Sequence, residues 1–251
     1  MSIRPSVVFV HGFFGPLSAA EFAEDHTVKH PSRRVLAPDL LGYGEHQHVP
    51  FDAITLRTQA EHISRSIEQQ FGDEAVDVVG HSVGGAIAML LAHAHPERVR
   101  RIVNIEGNFT LDDAFWSASV GHMSDADANA LLERLRSDPL GWLRGAGVDV
   151  TPDMRDAAAH SLARQPASTL RAMGQSVVAT TGEKRYLSTV REVFGTHPVH
   201  LIAGEHSRSG WHTPDWASIE CASFQTIEGA GHMMMLERPH AFAAALRHCL
   251  D

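Results

Sequence analysis

Six short runs of apolar, often β-branched residues punctuate the chain: Ser6 to Val10, Arg34 to Ala37, Val76 to Val79, Arg101 to Ile105, His200 to Ala203 and Ser223 to Ile227. Runs of this kind predict strands buried on both faces, as in a parallel sheet. The segments between them keep a helical period. Ile54 to Phe71 sets Ile54, Ala60, Ile63 and Ile67 among polar residues, and Val83 to His95 is apolar nearly all round, as a helix packed on a sheet would be. Pro239 to Leu250 opens with proline in its first turn and carries Phe242, Ala245, Leu246 and Leu250 on one side. The alternation of strand and helix predicts an α/β fold, a mostly parallel central sheet with helices on both faces.

One stretch interrupts the alternation. From Asn108 to Thr196 no strand is predicted, only helical patterns separated by Pro and Gly: Leu111 to Val120, Ser124 to Leu135, Pro139 to Leu143, Pro152 to Leu162, Pro166 to Thr180 and Glu183 to Val193. So many helices between neighbouring strands exceed a crossover, and predict a helical cap, residues 108–196, inserted in a core built from 1–107 and 197–251. Ligand clefts form at the carboxyl edge of such sheets. Phe115, Trp116, Met123, Trp142, Met154 and Met173 are therefore candidates to line a pocket, with packing inside the cap as the competing role for each.

Composition narrows the field. The 251 residues suffice for one sizeable core. A formal charge of -9 without a long basic run argues against a nucleic-acid partner. Nothing reaches membrane-spanning length, and Met1 to Pro5 runs into an apolar strand with no signal-peptide pattern. Two scattered cysteines, Cys221 and Cys249, make neither a disulfide framework nor a metal knuckle. The expectation is a cytoplasmic monomer or small homo-oligomer acting on a small molecule, with no cofactor. The close pairs His46/His48 and His93/His95 carry no metal assignment, because i,i+2 positions on a helix face apart.

The candidate chemistry sits at Gly80-His81-Ser82-Val83-Gly84, between a strand-like and a helix-like run. A tight strand-to-helix turn forces its central residue toward positive φ, and small residues two places either side allow the sharp fold, leaving a hydroxyl exposed at a helix N-terminus. The pattern alone would arise by chance in roughly one chain in ten of this length. Three further motifs supply context: His11-Gly12-Phe13-Phe14-Gly15 after the first strand, Asp39-Leu40-Leu41-Gly42-Tyr43-Gly44 after the second, and Gly229-Ala230-Gly231-His232 after the last. In order and spacing the four together resemble the α/β-hydrolase family, with the leading antiparallel strands of larger members absent.

The resemblance implies a serine hydrolase, with Ser82 as nucleophile, His232 as general base, and backbone N–H groups of Phe13 and Val83 as the oxyanion hole. Family members usually place an Asp after the penultimate strand, but Gly204-Glu205-His206-Ser207 puts serine there. Some relatives carry the acid on the preceding strand instead, which here delivers Glu106; Glu205 is the alternative. Phe14 and Met233 to Met235 are candidates for an apolar acyl pocket or for packing. A serine nucleophile and only two tyrosines, Tyr43 and Tyr186, speak against haloalkane or epoxide chemistry. The expected reaction is hydrolysis of a carboxylic ester, thioester or lactone through an acyl-enzyme. Carbon–carbon bond hydrolysis, perhydrolysis and a receptor role on the same fold are the alternatives.

Overall fold

The computed structural model describes residues 4–15 and 33–251; the predicted behaviour of Met1 to Ile3 lies outside them. Six strands form one parallel sheet: β1 Val7–Val10, β2 Val35–Leu36, β3 Val76–His81, β4 Val99–Ile105, β5 Val199–Gly204 and β6 Ser223–Ile227, in the order β2-β1-β3-β4-β5-β6. Every apolar run expected to be a strand is one. The pleat splits their side chains between two cores. Val8, Val10, Val76, Val78, Ile102 and Leu201 join one cluster, while Val7, Phe9, Val79, Val103, Ile105 and Ile202 join the other.

The first face is covered by α1 (Leu56–Phe71), α2 (Val83–Ala94) and helices of the segment between β4 and β5; α11 (Pro239–Leu250) covers the second. Helix α1 starts one residue beyond its cap, Thr55, whose hydroxyl accepts the Thr58 N–H, and it buries Ala60, Ile63 and Ile67 on the expected stripe. Two short helices, α9 (Asp215–Glu220) and α10 (Met234–Glu237), were not signalled by the sequence pattern, being too brief to show a period.

Between β4 and β5 lie six α-helices: α3 (Phe115–Gly121), α4 (Asp125–Ser137), α5 (Pro139–Gly145), α6 (Met154–Ala163), α7 (Ala167–Thr181) and α8 (Lys184–Thr196). Ser124 caps α4 by accepting the Asp127 N–H. The buried residues of α7 and α8, such as Leu170, Val177, Val190 and Val193, belong to the same cluster as the sheet's first face. The helical segment is thus welded to the sheet through a shared core. A smaller cluster of Leu140, Leu143, Val148 and Ala158 holds α5 against α6 above the carboxyl edge.

Candidate active site

Ser82 joins β3 to α2 with φ 54° and ψ −125°, a conformation that L-residues occupy only under constraint. The constraint is packing. A Cβ on Gly84 would lie 2.6 Å from the His11 carbonyl oxygen, and one on Gly80 would lie 2.7 Å from the Gly84 carbonyl carbon. The glycines therefore let strand, turn and helix crowd together, and Ser82 absorbs the bend. Its N–H donates to the Ile105 carbonyl at 2.9 Å, which ties the turn to the end of β4.

That strand end carries Glu106, itself at φ 44° and 5% exposed. Its Oε2 lies 2.6 Å from His232 Nδ1, while Oε1 accepts the Ser207 hydroxyl at 2.6 Å and the Gly204 N–H at 2.8 Å. Burial alone would raise this carboxyl's pKa. The hydrogen bonds from His232, Ser207 and Gly204, together with the charge of His232, outweigh burial and hold it below the usual range. The alternative acid, Glu205, is exposed and accepts the Gly229 N–H at 2.8 Å, with no bond to His232. Ser207, standing where the resemblance led to the expectation of an acid, instead donates to Glu106. With Nδ1–H given to Glu106, the neutral ring keeps a lone pair on Nε2, the form a base needs. Ser82 and His232 line the same cavity, and no described hydrogen bond joins the hydroxyl to the ring.

Two further histidines, neither predicted as a site residue, complete the surroundings. His81 stacks on His232 with centroids 4.6 Å apart, and its Nε2 lies 3.0 Å from the His232 carbonyl oxygen. A carbonyl only accepts, so Nε2 carries the proton and Nδ1 is bare. Burial first, then the neighbouring His232, push its pKa down to about 3. His11 is likewise neutral: its Nε2 accepts the Leu40 N–H at 3.2 Å, so Nδ1–H donates to the Gly12 carbonyl at 2.9 Å, and burial lowers its pKa to about 4.

The His11 bond bears on the predicted oxyanion hole. In a trans peptide the Gly12 C=O and the Phe13 N–H point in opposite directions, so fixing one aims the other. A Cβ on Gly12 would come within 3.1 Å of Ser82 Cβ, which puts this peptide beside Ser82. Neither the Phe13 nor the Val83 N–H donates in a described hydrogen bond. Val83 is the first residue of α2, where the helix dipole adds favourable potential for an anion.

Above Ser82 and His232 opens a cavity of about 890 Å³. Phe13, Phe14 and Met233 line its floor, and Phe115, Trp116 and Trp142 its helical side. Edge-on contacts knit the aromatic rings across the boundary, Phe14 to Trp116 at 5.0 Å and Phe14 to Trp142 at 5.1 Å. Three predicted candidates are elsewhere. Met173 is fully buried in the main core against Gln59, Met123 packs on that core, and Met154 packs against the small cluster under α5; helical periodicity could not tell an inward face from a cavity face. Met234 also goes to the core, below the sheet. Trp211 and Leu236 line the cavity without having been singled out, since both follow the sheet on short irregular elements. Among the described residues no group of three or more His, Cys, Asp or Glu gathers to hold a metal.

Known proteins share both pattern and shape. The chain is 38% identical over 89 residues to a 2-hydroxymuconate semialdehyde hydrolase of Pseudomonas putida, covering 36% of this chain and 30% of that protein. It is 33% identical over 102 residues to the sn-1-specific diacylglycerol lipase ABHD11 of Mus musculus, covering 41% and 32%. The matched stretches thus span about a third of these relatives. Among solved structures, MenH from S. aureus superposes with a TM-score of 0.74 at 15% identity, over 100% of this chain and 94% of that one. A structure described with the carboxylesterases of Nitrososphaera gargenis gives 0.71 at 17% identity, over 98% and 90%. The sequence model of the alpha/beta hydrolase family matches residues 7–245, nearly the whole chain. This protein belongs to the alpha/beta hydrolase family.

Proposed function

We propose that this hydrolase cleaves carboxylic esters, with thioesters and lactones as related substrates, through a covalent acyl-enzyme on Ser82. The observation that carries the reading is the 2.6 Å contact of Glu106 with His232 Nδ1, in a cavity shared with a serine on a strained elbow. Ser82 Oγ attacks the acyl carbon while its proton passes to His232 Nε2. The carbonyl oxygen takes the negative charge and is held by the N–H groups of Phe13 and Val83, donors each worth about 3–4 kcal/mol in such sites. Collapse breaks the bond to the leaving oxygen or sulfur, which leaves with the proton from Nε2. Water then adds to the acyl carbon, giving a proton to the same nitrogen, and Ser82 departs protonated. Glu106 holds the ring and stabilises the imidazolium throughout.

The helical segment 108–196 acts in this reading as a cap, and its Phe115, Trp116 and Trp142 select apolar acyl groups. About 890 Å³ is near the upper end of small-molecule sites, which suits a medium-length or bulky acyl chain. Among the described residues no helix is long and apolar enough to cross a membrane. The test is hydrolysis of chromogenic esters of graded acyl length, with Ser82→Ala as the blank and a fluorophosphonate as the covalent label. Turnover abolished by labelling at Ser82 supports the reading; labelling without turnover favours a receptor. Similarity to 2-hydroxymuconate semialdehyde hydrolases supports carbon–carbon bond hydrolysis as a second reading, recognised by turnover of 2-hydroxymuconate semialdehyde in preference to esters.

A further inference from the structure

Tyr43, which no step above uses, is completely buried in the loop after β2. Its hydroxyl donates to the Phe13 carbonyl at 2.8 Å, and its ring meets His11 edge-on at 4.7 Å. His11 grips the Gly12 carbonyl and Tyr43 grips the Phe13 carbonyl, so the two peptides flanking Phe13 are both clamped and its φ and ψ are pinned between them. On its other side the Tyr43 loop is fastened to the helical segment. The Thr169 hydroxyl of α7 donates to the Gly42 carbonyl at 2.9 Å, the Gly44 N–H donates to the Arg164 carbonyl at 2.7 Å, and the Arg164 guanidinium pairs with Asp39. The fit is close, since a Cβ on Gly42 would lie 2.6 Å from the Thr169 methyl carbon.

We infer that Tyr43 is a positioning residue for the oxyanion hole, and that through it the seating of the helical segment sets the aim of the Phe13 N–H. The inference rests on the acyl-enzyme reading above. Without the hydroxyl the Phe13 carbonyl is left unpaired in a buried place and the Phe13–Phe14 peptide is free to turn; the effect reaches the Phe13 N–H, whose own peptide His11 holds, through the loosened Phe13 backbone, and since displacement of about 1 Å in such a site costs about a hundredfold in rate, this indirect tilt costs less. The hole holds the transition state rather than the substrate, so the loss falls on kcat and not on KM.

The experiment compares the full-length enzyme with Tyr43→Phe and Thr169→Val, using a chromogenic ester and a trifluoromethyl ketone. Ser82 Oγ adds to the ketone carbon, its proton passes to His232, and the carbonyl oxygen becomes an oxyanion in the hole. Fluorophosphonate titration to completion counts competent serines, so rates refer to folded protein only. Tyr43→Phe should lower kcat about tenfold or more, with KM within about twofold and ketone affinity falling in parallel with kcat/KM. Thr169→Val should show the same pattern at smaller amplitude. Full kcat in Tyr43→Phe, or a loss confined to KM, overturns the positioning role; full kcat in Thr169→Val overturns the coupling to the helical segment. Failure of the unsubstituted enzyme to turn over ester overturns the acyl-enzyme reading, and this inference with it.

Discussion

Replacing Glu106 by Gln would change one heavy atom and, by the geometry around it, reverse the tautomer of the base. The Gly204 N–H can only donate, and it points at Oε1 from 2.8 Å, with the Ser207 hydroxyl donating to the same oxygen at 2.6 Å. The Gln carbonyl oxygen must take that position, which turns its NH₂ toward His232 Nδ1. Facing a donor, the neutral ring offers its Nδ1 lone pair and moves its proton to Nε2, where it can no longer accept the Ser82 proton. Stabilisation of the imidazolium by a carboxylate is lost as well. The expected fall in kcat is about 10⁴-fold, roughly 5.5 kcal/mol of barrier. The assay is kcat and KM on a chromogenic ester, normalised by fluorophosphonate titration, beside a thermal melt showing that the variant folds. Glu205→Gln is the control, and it should stay close to the unsubstituted rate because the described side-chain hydrogen bond of Glu205 is to the Gly229 N–H and not to His232. A folded Glu106→Gln enzyme within about tenfold of normal activity would refute the tautomer argument; damage from Glu205→Gln alone would move the acid to the other loop.

The same geometry makes other outcomes checkable. His81→Ala removes both the ring stacked on His232 and the donor to its carbonyl, so kcat should fall and the melt should drop by the cost of an unpaired carbonyl, about 1–3 kcal/mol; unchanged kinetics would count against the role of this stack. Ser82→Gly should melt no lower than Ser82→Ala, although glycine ordinarily costs about 0.5–1 kcal/mol, because it alone relieves the φ of 54°. Trp142→Ala should shift the preferred acyl group to longer chains, read as a changed order of kcat/KM across a chain-length series, because it opens the wall that Phe14 and Trp142 close. Acid should destabilise the fold from about pH 6.5 downward. His11 and His81 stay neutral in the folded protein to about pH 4 and 3 but take protons near 6.5 when unfolded, so stability rises with pH across that window. Two protons correspond to roughly 2.7 kcal/mol per pH unit near pH 5, and denaturant melts with a flat pH dependence between 6.5 and 4.5 would contradict the buried neutral histidines.

The inner strands of the sheet were legible because they are largely buried and rich in apolar residues, while the edge strands β2 and β6 are only partly buried and stood out by their place in the alternation. Their ends shifted by only one or two residues, Ser6–Val10 becoming Val7–Val10 and Arg101–Ile105 becoming Val99–Ile105. Ser82 and His232 were singled out from motif and order, and the two line one cavity. Other features depend on distances across the chain that local pattern does not encode. The work of Ser207 is one: 101 residues separate it from Glu106, and its sequence position suggested only a missing acid. His11 and His81 are others, since among 18 histidines nothing local marks the His11 ring that accepts the Leu40 N–H or the His81 ring that donates to the His232 carbonyl. The methionines failed for a simpler reason. Met154 and Met173 lie on helices yet pack into clusters rather than lining the cavity, and Met123 sits in the turn between α3 and α4, packed on the main core.

The placement of Glu106 beside Ser82 follows from strand register. β3 and β4 are neighbours, and His81 pairs with Ile105, so Ser82 and Glu106 are the next residues on two adjacent strands, each leaving the sheet at its carboxyl edge. Both are non-glycine residues at positive φ, of the kind that costs about 1–3 kcal/mol and persists only where surrounding structure compels it. The two turns brace one another: the Ser82 N–H donates to the Ile105 carbonyl, and the Glu106 N–H donates to the Ile202 carbonyl of β5, which carries the strain across three strands. An acid following β5 would reach His232 from the next strand over. An acid following β4 reaches it from beside the nucleophile, and the side chain after β5 is then free to become a donor. Ser207 is that donor, with the Gly204 N–H beside it. A carboxylate after β4 with a hydroxyl and an N–H after β5 keeps the His232 ring oriented and gives the second oxygen of the buried Glu106 its two hydrogen bonds.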